Sequence, residues 1–278
     1  CEMSTQFITL KDGKIAYQIY GQGQQTLILF HGLIGSSWLR QTWVQAIEQA
    51  DMRCIVLERP GYGDSSILSI EFVADWTIIF AQVINALNIQ SAIAVGCSAG
   101  AVYAYATAFA FPDIITHVWV LDGVPAVFLE TVIRHYSHDD QVTYNRFLVR
   151  PMAEIQDDYA TWLEAFSEQS SDNPSMLNIL KDARANHCIG MARESQLQIR
   201  PWGFDISAIQ QPVTLWHAEN DEMVPYKAAQ EMTQVLNNCT LVTVKNLGAS
   251  PEQAIHSESI SQGFLHLLKQ LQDDKQVD

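Results

Sequence analysis

Basic residues are scarce in this chain. Sixteen Lys and Arg stand against 31 Asp and Glu, for a formal net charge of −15. Binding a polyanion requires clustered cations, so nucleic acid and anionic membrane surfaces are not expected partners. Long apolar runs are missing too: none reaches the roughly 18 to 20 residues that span a bilayer. The opening "CEMSTQFITL" lacks a basic segment followed by an apolar one, so no export signal is read there. Cys1 reads as a cloning remnant ahead of an ordinary start at Met3. The five cysteines, at 1, 54, 97, 188 and 239, show no paired spacing for a disulfide framework or a metal, and they fit a reducing cytoplasm. Low-complexity tracts and internal repeats are also lacking, which excludes disorder and solenoids.

What is present is a large apolar fraction, 48% of 278 residues, enough for a sizeable core in one large domain carrying an insertion. "FITL" and "KIAYQIYG" flank the turn "KDG" and predict an opening hairpin. Six short runs rich in β-branched residues follow: "TLILFHG", "RCIVLERPG", "SAIAVGCSAG", "HVWVLDG", "PVTLWHAEND" and "CTLVTVKN". Such runs suit strands buried on both faces of a parallel sheet. Helix-length segments at 41–50, 71–88, 99–110, 226–237 and 253–272 alternate with them, which predicts right-handed crossovers and a doubly wound α/β sheet. The alternation breaks between β-like segments at 125–205. That stretch has helical patterns and aromatics but no convincing buried strand, so it reads as a helical cap on a core made of 1–124 and 206–278.

Several short motifs could carry chemistry. "VGCSAG" puts Ser98 between Gly96 and Gly100, after an apolar strand and before a small-residue helix. A serine at so sharp a turn is lifted above the sheet, and flanking glycines give the backbone room. "FHGLIG" places His31 and Gly32 at the end of another strand, where backbone N–H groups can face an oxyanion. With "RPGYGDSS" at 59–66 and "LWHAENDEMVP" at 215–225, the chain resembles the α/β-hydrolase superfamily over essentially its whole length. The resemblance implies an eight-stranded, mostly parallel sheet with a helical cap. It implies Ser98 as nucleophile, Leu33 and Ala99 as oxyanion donors, and Asp221 as the acid that orients a histidine. Asp122, one strand earlier, is the alternative acid.

One element of that pattern is absent. Family members commonly read Gly-His after the last strand, whereas Gly248 is followed by Ala249. Position 249 is therefore expected to be where the base belongs, with the histidine replaced, and His256 is the alternative base. His31 is expected to hold the loop near the anion site. Trp38, Trp162 and Trp202, with His31, are candidates for lining a substrate pocket. The resulting expectation is a serine hydrolase for a small or medium ester, thioester or lactone bearing an apolar group, inactivated at 249, with no metal and no organic cofactor. The competing expectation is a receptor-like protein that binds a small molecule on the same scaffold without turnover.

Overall fold

The computed structural model describes residues 4–169, 174–249 and 254–275. The expected hairpin forms as β1 (Gln6–Leu10) and β2 (Gly13–Tyr20), paired antiparallel around the Asp12–Gly13 turn. From β3 (Gln25–Phe30) onward the chain alternates. In order come α1 (Gln41–Gln49), β4 (Met52–Leu57), α2 (Trp76–Leu87), β5 (Ala92–Cys97), α3 (Ala101–Ala110) and β6 (Ile115–Leu121). Between β6 and β7 the segment expected to be helical holds α4 (Glu130–Ile133), α5 (His138–Phe147), α6 (Met152–Gln169) and α7 (Pro174–Ile199). The chain then resumes with β7 (Val213–Ala218), α8 (Tyr226–Val235), β8 (Cys239–Val244) and α9 (Ile255–Asp274).

The eight strands lie in the order β1-β2-β4-β3-β5-β6-β7-β8. β2 pairs antiparallel with β4, and every later pair is parallel. The central strands are buried on both faces because side chains alternate across a strand. Ile28 and Phe30 enter the apolar cluster with Trp76 and Phe80, while Leu27 and Leu29 enter the opposite one with Trp43 and Phe264. This two-sided burial is why the runs read as continuous apolar segments rather than alternating ones. It also brings the carboxyl ends of β3, β5, β6 and β7 to one edge of the sheet, where open α/β sheets bind ligands.

A third cluster joins the inserted helices to the loop after β4. Tyr62 packs there with Leu163, Leu180, Ala183, Cys188 and Met191. α7 is broken at 185–188, where Asn186, His187 and Cys188 have φ of 52, 53 and 58°. The break lets Asn186 Nδ2 donate to the Gly61 carbonyl at 3.3 Å and seats Gly190 on the Tyr62 ring.

Candidate active site

Ser98 follows β5 directly and has φ of +49°, left-handed backbone that few side chains adopt. The flanking glycines are required by close approach. A Cβ at Gly96 would lie 2.5 Å from Ala101 Cα, and one at Gly100 would lie 2.0 Å from the Phe30 carbonyl oxygen. Both obstacles are backbone and cannot swing away. Gly100→Ala is therefore expected to cost at least about 1–3 kcal/mol of stability. Thermal unfolding of that variant checks this, and an unchanged midpoint would mean that the elbow has slack.

The hydroxyl of Ser98 lies 3.0 Å from His256 Nε2, and His256 Nδ1 lies 2.7 Å from Asp221 Oδ2. Asp221 sits in the loop after β7, where its Oδ1 accepts the N–H groups of Met223 at 2.7 Å and Val224 at 3.1 Å. Those two bonds fix the carboxylate so that Oδ2 faces the imidazole. His256 is in the first turn of α9, on the stripe of that helix that turns inward with Ser259, Gly263, Phe264 and Leu267. Three contacts set the depth of the helix. A Cβ at Gly263 would lie 2.7 Å from Trp216 Cδ1, so only glycine lets α9 approach β7 this closely. Trp216 Nε1 donates to the Ser259 carbonyl at 3.0 Å, and Trp43 stacks on Phe264 at 4.3 Å.

The electrostatics suit proton transfer. Burial by itself would lower the His256 pKa, but the hydrogen bond and charge of Asp221, with Asp122 and Glu222 behind it, outweigh burial and raise it above 6.5. Burial opposes the charge on Asp221 too, yet its bond to His256 and the backbone N–H of Met223 hold its pKa below 3.8. His217 lies 3.6 Å from the same carboxylate, but burial keeps it neutral, and its Nε2 is 2.8 Å from the Val224 carbonyl. A hydroxyl, imidazole and carboxylate linked in this order can pass a proton from the hydroxyl to the ring while the carboxylate stabilises the cation.

The chain matches the family described as the alpha/beta hydrolase fold over residues 25–250. It belongs to that family. Three solved structures share the fold at low identity. A bromoperoxidase from Bacillus anthracis superposes with a TM-score of 0.68 at 19% identity, covering 96% of this chain and 99% of its own. An enol-lactonase from Burkholderia xenovorans gives 0.68 at 14%, covering 96% and 99%. An esterase from Exiguobacterium antarcticum gives 0.68 at 15%, covering 95% and 98%. No curated protein matches the chain in sequence.

For an α/β-hydrolase chain the histidine was expected at position 249, and this needs correction. Ala249 is exposed, and a Cβ at Gly248 would find no atom within 4 Å, so this part of the loop stands away from the core. The imidazole beside Ser98 belongs to His256, the alternative base, placed there by α9. A signal for it existed in the sequence: His256 lies in helical register with Ser259, Gly263 and Leu267, so it shares their inward face. The neighbouring stretch 250–253, including Ser250, lies outside the described residues.

Asp122 closes β6 with φ of +42° and is fully buried. Its Oδ1 accepts the Ala218 N–H at 2.9 Å, and it does not bond His256. Asp122, Asp221 and His256 nevertheless bring donor atoms within 4.8 Å of one another, the one group among the described residues with the spacing of a cation site. Asp221 and His256 spend their facing atoms on the hydrogen bonds above, whereas Asp122 Oδ2 is buried without a hydrogen-bond partner. Burial pushes the Asp122 pKa up to about 7, partly offset by the Ala218 N–H.

The expected pocket residues are scattered by the fold. Trp202 is buried in the core against Tyr105 at 6.0 Å and Phe128 at 5.3 Å, so it packs rather than binds. Trp162 is 43% exposed and rests on Tyr159 and Phe166 of its own helix. Trp38 is half-buried in the loop leaving β3, its N–H donating to Ser36 Oγ at 3.2 Å. His31 is buried and kept neutral by burial and by Arg59. Its Nδ1 lies 2.8 Å from the Gly32 carbonyl and its Nε2 3.4 Å from the Arg59 N–H, so it braces the loop and both ring nitrogens are used. Gly35 is required beside it, since a Cβ there would lie 2.0 Å from His31 Nδ1.

Three residues with no role assigned from the sequence converge on the same loop: Arg59, Tyr62 and Glu194. Arg59 is fully buried and paired with Glu194 of α7. Burial would lower its pKa, and the Glu194 carboxylate keeps it charged. Nothing within either local stretch announces the pairing, because the two residues are 135 positions apart.

Proposed function

We propose that this chain is an active serine hydrolase that cleaves a small or medium carboxylic ester, thioester or lactone through an acyl-enzyme. The hydrogen-bonded series Ser98–His256–Asp221 carries the reading. Ser98 attacks the carbonyl as His256 takes its proton. The carbonyl oxygen becomes an oxyanion between the N–H groups of Leu33 and Ala99. His256 then protonates the leaving oxygen or sulfur, and water repeats the sequence to free the acid. A Cβ at Gly32 would lie 3.6 Å from Ser98 Cβ, which supports the loop's place beside the hydroxyl. The family's esterase and lactonase neighbours agree with acyl transfer.

In this reading the insertion of 125–205 caps the site and gives it an apolar wall, and the substrate is a small molecule rather than a nucleic acid or a membrane. Among the described residues no helix is long and apolar enough to cross a membrane. Receptor-like binding without turnover drew its support from a missing histidine, and His256 removes that support. The deciding experiment exposes the unmodified chain to a fluorophosphonate and to a panel of p-nitrophenyl esters, thioesters and lactones. Labelling and turnover that both vanish in Ser98→Ala are expected. Tight binding of a small molecule with neither labelling nor turnover would return the receptor reading.

A pH profile tests the site's electrostatics. His256 must be neutral to accept the Ser98 proton, so kcat/KM falls as pH drops through its pKa. Because that pKa is raised, the acid limb should have its midpoint above 6.5. Asp122 titrates in the same range, and its negative charge helps to raise His256. Asp122→Asn is therefore expected to move the midpoint down. An unmoved limb would show that the two groups do not communicate.

A further inference from the structure

We propose that the buried Arg59–Glu194 pair is a positioning device that aims the oxyanion loop, and that Glu194 makes the aim depend on the seating of α7. The inference rests on the hydrolase reading and assigns to that site a control that lies in the inserted helices.

The argument starts from the carbonyls of three consecutive residues. The His31 carbonyl accepts from Arg59 Nη1. The Gly32 carbonyl accepts from Arg59 Nη2 at 3.1 Å and from His31 Nδ1 at 2.8 Å. The Leu33 carbonyl lies 2.9 Å from the Tyr62 hydroxyl. A trans peptide is planar, with its C=O and N–H pointing in opposite directions. Holding the Gly32 oxygen against Arg59 therefore turns the Leu33 N–H the other way. No acceptor for that N–H occurs among the described residues. The direction of an oxyanion donor is in this way set from behind, by groups that never touch substrate.

Arg59 cannot do this alone, because its planar fork has to be held. Glu194 receives Nε on Oε1 and Nη2 on Oε2, the second at 2.9 Å, and Oε2 also lies 2.9 Å from the Tyr62 hydroxyl. The guanidinium also lies over the Tyr62 and Tyr103 rings, at 5.4 and 4.8 Å from their centroids. Glu194 belongs to the part of α7 after its break, which Gly190 seats on Tyr62. A Cβ at 190 would lie 2.5 Å from that ring, which is fully buried and cannot yield. Loop and helix are also tied by Ser36 bonding Asp182 and by the Gly63 N–H donating to the Asp182 carbonyl at 2.8 Å. Lifting α7 would withdraw Glu194, free the fork and leave the Gly32 carbonyl held by His31 Nδ1 alone, so that the peptide is less firmly aimed.

The test compares the full chain with Glu194→Gln, Arg59→Lys and Gly190→Ala, the last of which leaves both charges in place. Tyr62→Phe is the milder variant should the charge changes prevent folding. Five quantities are read: kcat and KM for p-nitrophenyl butyrate, affinity for a trifluoromethyl ketone whose adduct carries an oxyanion, the pH midpoint of the acid limb, and amide exchange over 31–37. In the three main variants kcat should fall about 10- to 100-fold and ketone affinity by the same factor, because a misaimed donor is lost only where charge develops. KM should stay within about 3-fold and the pH midpoint should not move, since His256 is untouched. Exchange over 31–37 should rise. Tyr62→Phe should show the same pattern at about 3- to 10-fold. Unchanged exchange, or a loss confined to KM, overturns the proposal. If the unmodified chain neither hydrolyses esters nor binds the ketone, the hydrolase reading fails, and exchange alone still decides whether the pair holds the loop.

Discussion

His256→Ala is expected to lower kcat towards activated esters by roughly 10³- to 10⁶-fold while leaving KM nearly unchanged. The ring is the one base within reach of Ser98 among the described residues, at 3.0 Å, and a serine hydroxyl is a poor nucleophile without it. Ala249→His should not rescue the loss, because position 249 is exposed and a Cβ at the adjoining Gly248 would meet no atom within 4 Å. In the otherwise unmodified chain, Ala249→His should change kcat less than about 3-fold. Steady-state kinetics on the two single variants and the double variant settle the matter. Activity restored by Ala249→His in the absence of His256 would show that the base belongs at 249 and that the hydrogen bond to His256 is incidental.

Asp221→Asn should cost about 10³- to 10⁴-fold in kcat. Asp221 orients His256 through a 2.7 Å bond and stabilises the imidazolium that forms only as the reaction proceeds, so the loss should not appear in KM. An amide at 221 would also offer its N–H₂ to the ring, which favours the wrong tautomer. Asp122→Asn should cost less than about 10-fold. Asp122 spends Oδ1 on the Ala218 N–H and reaches His256 only through its charge. Thermal unfolding of both variants separates misfolding from catalytic loss. If Asp122→Asn proves the more damaging, the working acid closes β6 rather than following β7.

How much of this could be read in advance differs from residue to residue. Ser98 was legible because a strand, a glycine-bounded turn and a small-residue helix adjoin it in a single stretch, and the steric demands of that turn act within a few residues. Asp221 was pointed to by the resemblance of "LWHAENDEMVP" to the family's acid loop, and in the structure its Oδ1 accepts from its own neighbours Met223 and Val224. Trp202 misled because a large aromatic in a helical insertion looks the same in sequence whether it lines a pocket or fills a core. Only its packing, stacked on Tyr105 and edge-on to Phe128, tells the two apart.

Asp221 was pointed to by the family resemblance; by itself the sequence determined the fold class, the eight strands and the glycine-bounded turn at Ser98. These follow from hydrophobic period, β-branched runs and glycine placement, forces that act between chain neighbours. Which histidine meets Ser98, and what braces the loop opposite it, were decided by the tertiary structure. His256 stands 158 positions from Ser98 and arrives there because Gly263 lets α9 close on Trp216 while Phe264 stacks on Trp43. Arg59 finds Glu194 because α7 breaks and settles on Tyr62. Both meetings depend on the packing angle and depth of a whole helix, quantities summed over many distant contacts and written in no single stretch of the chain.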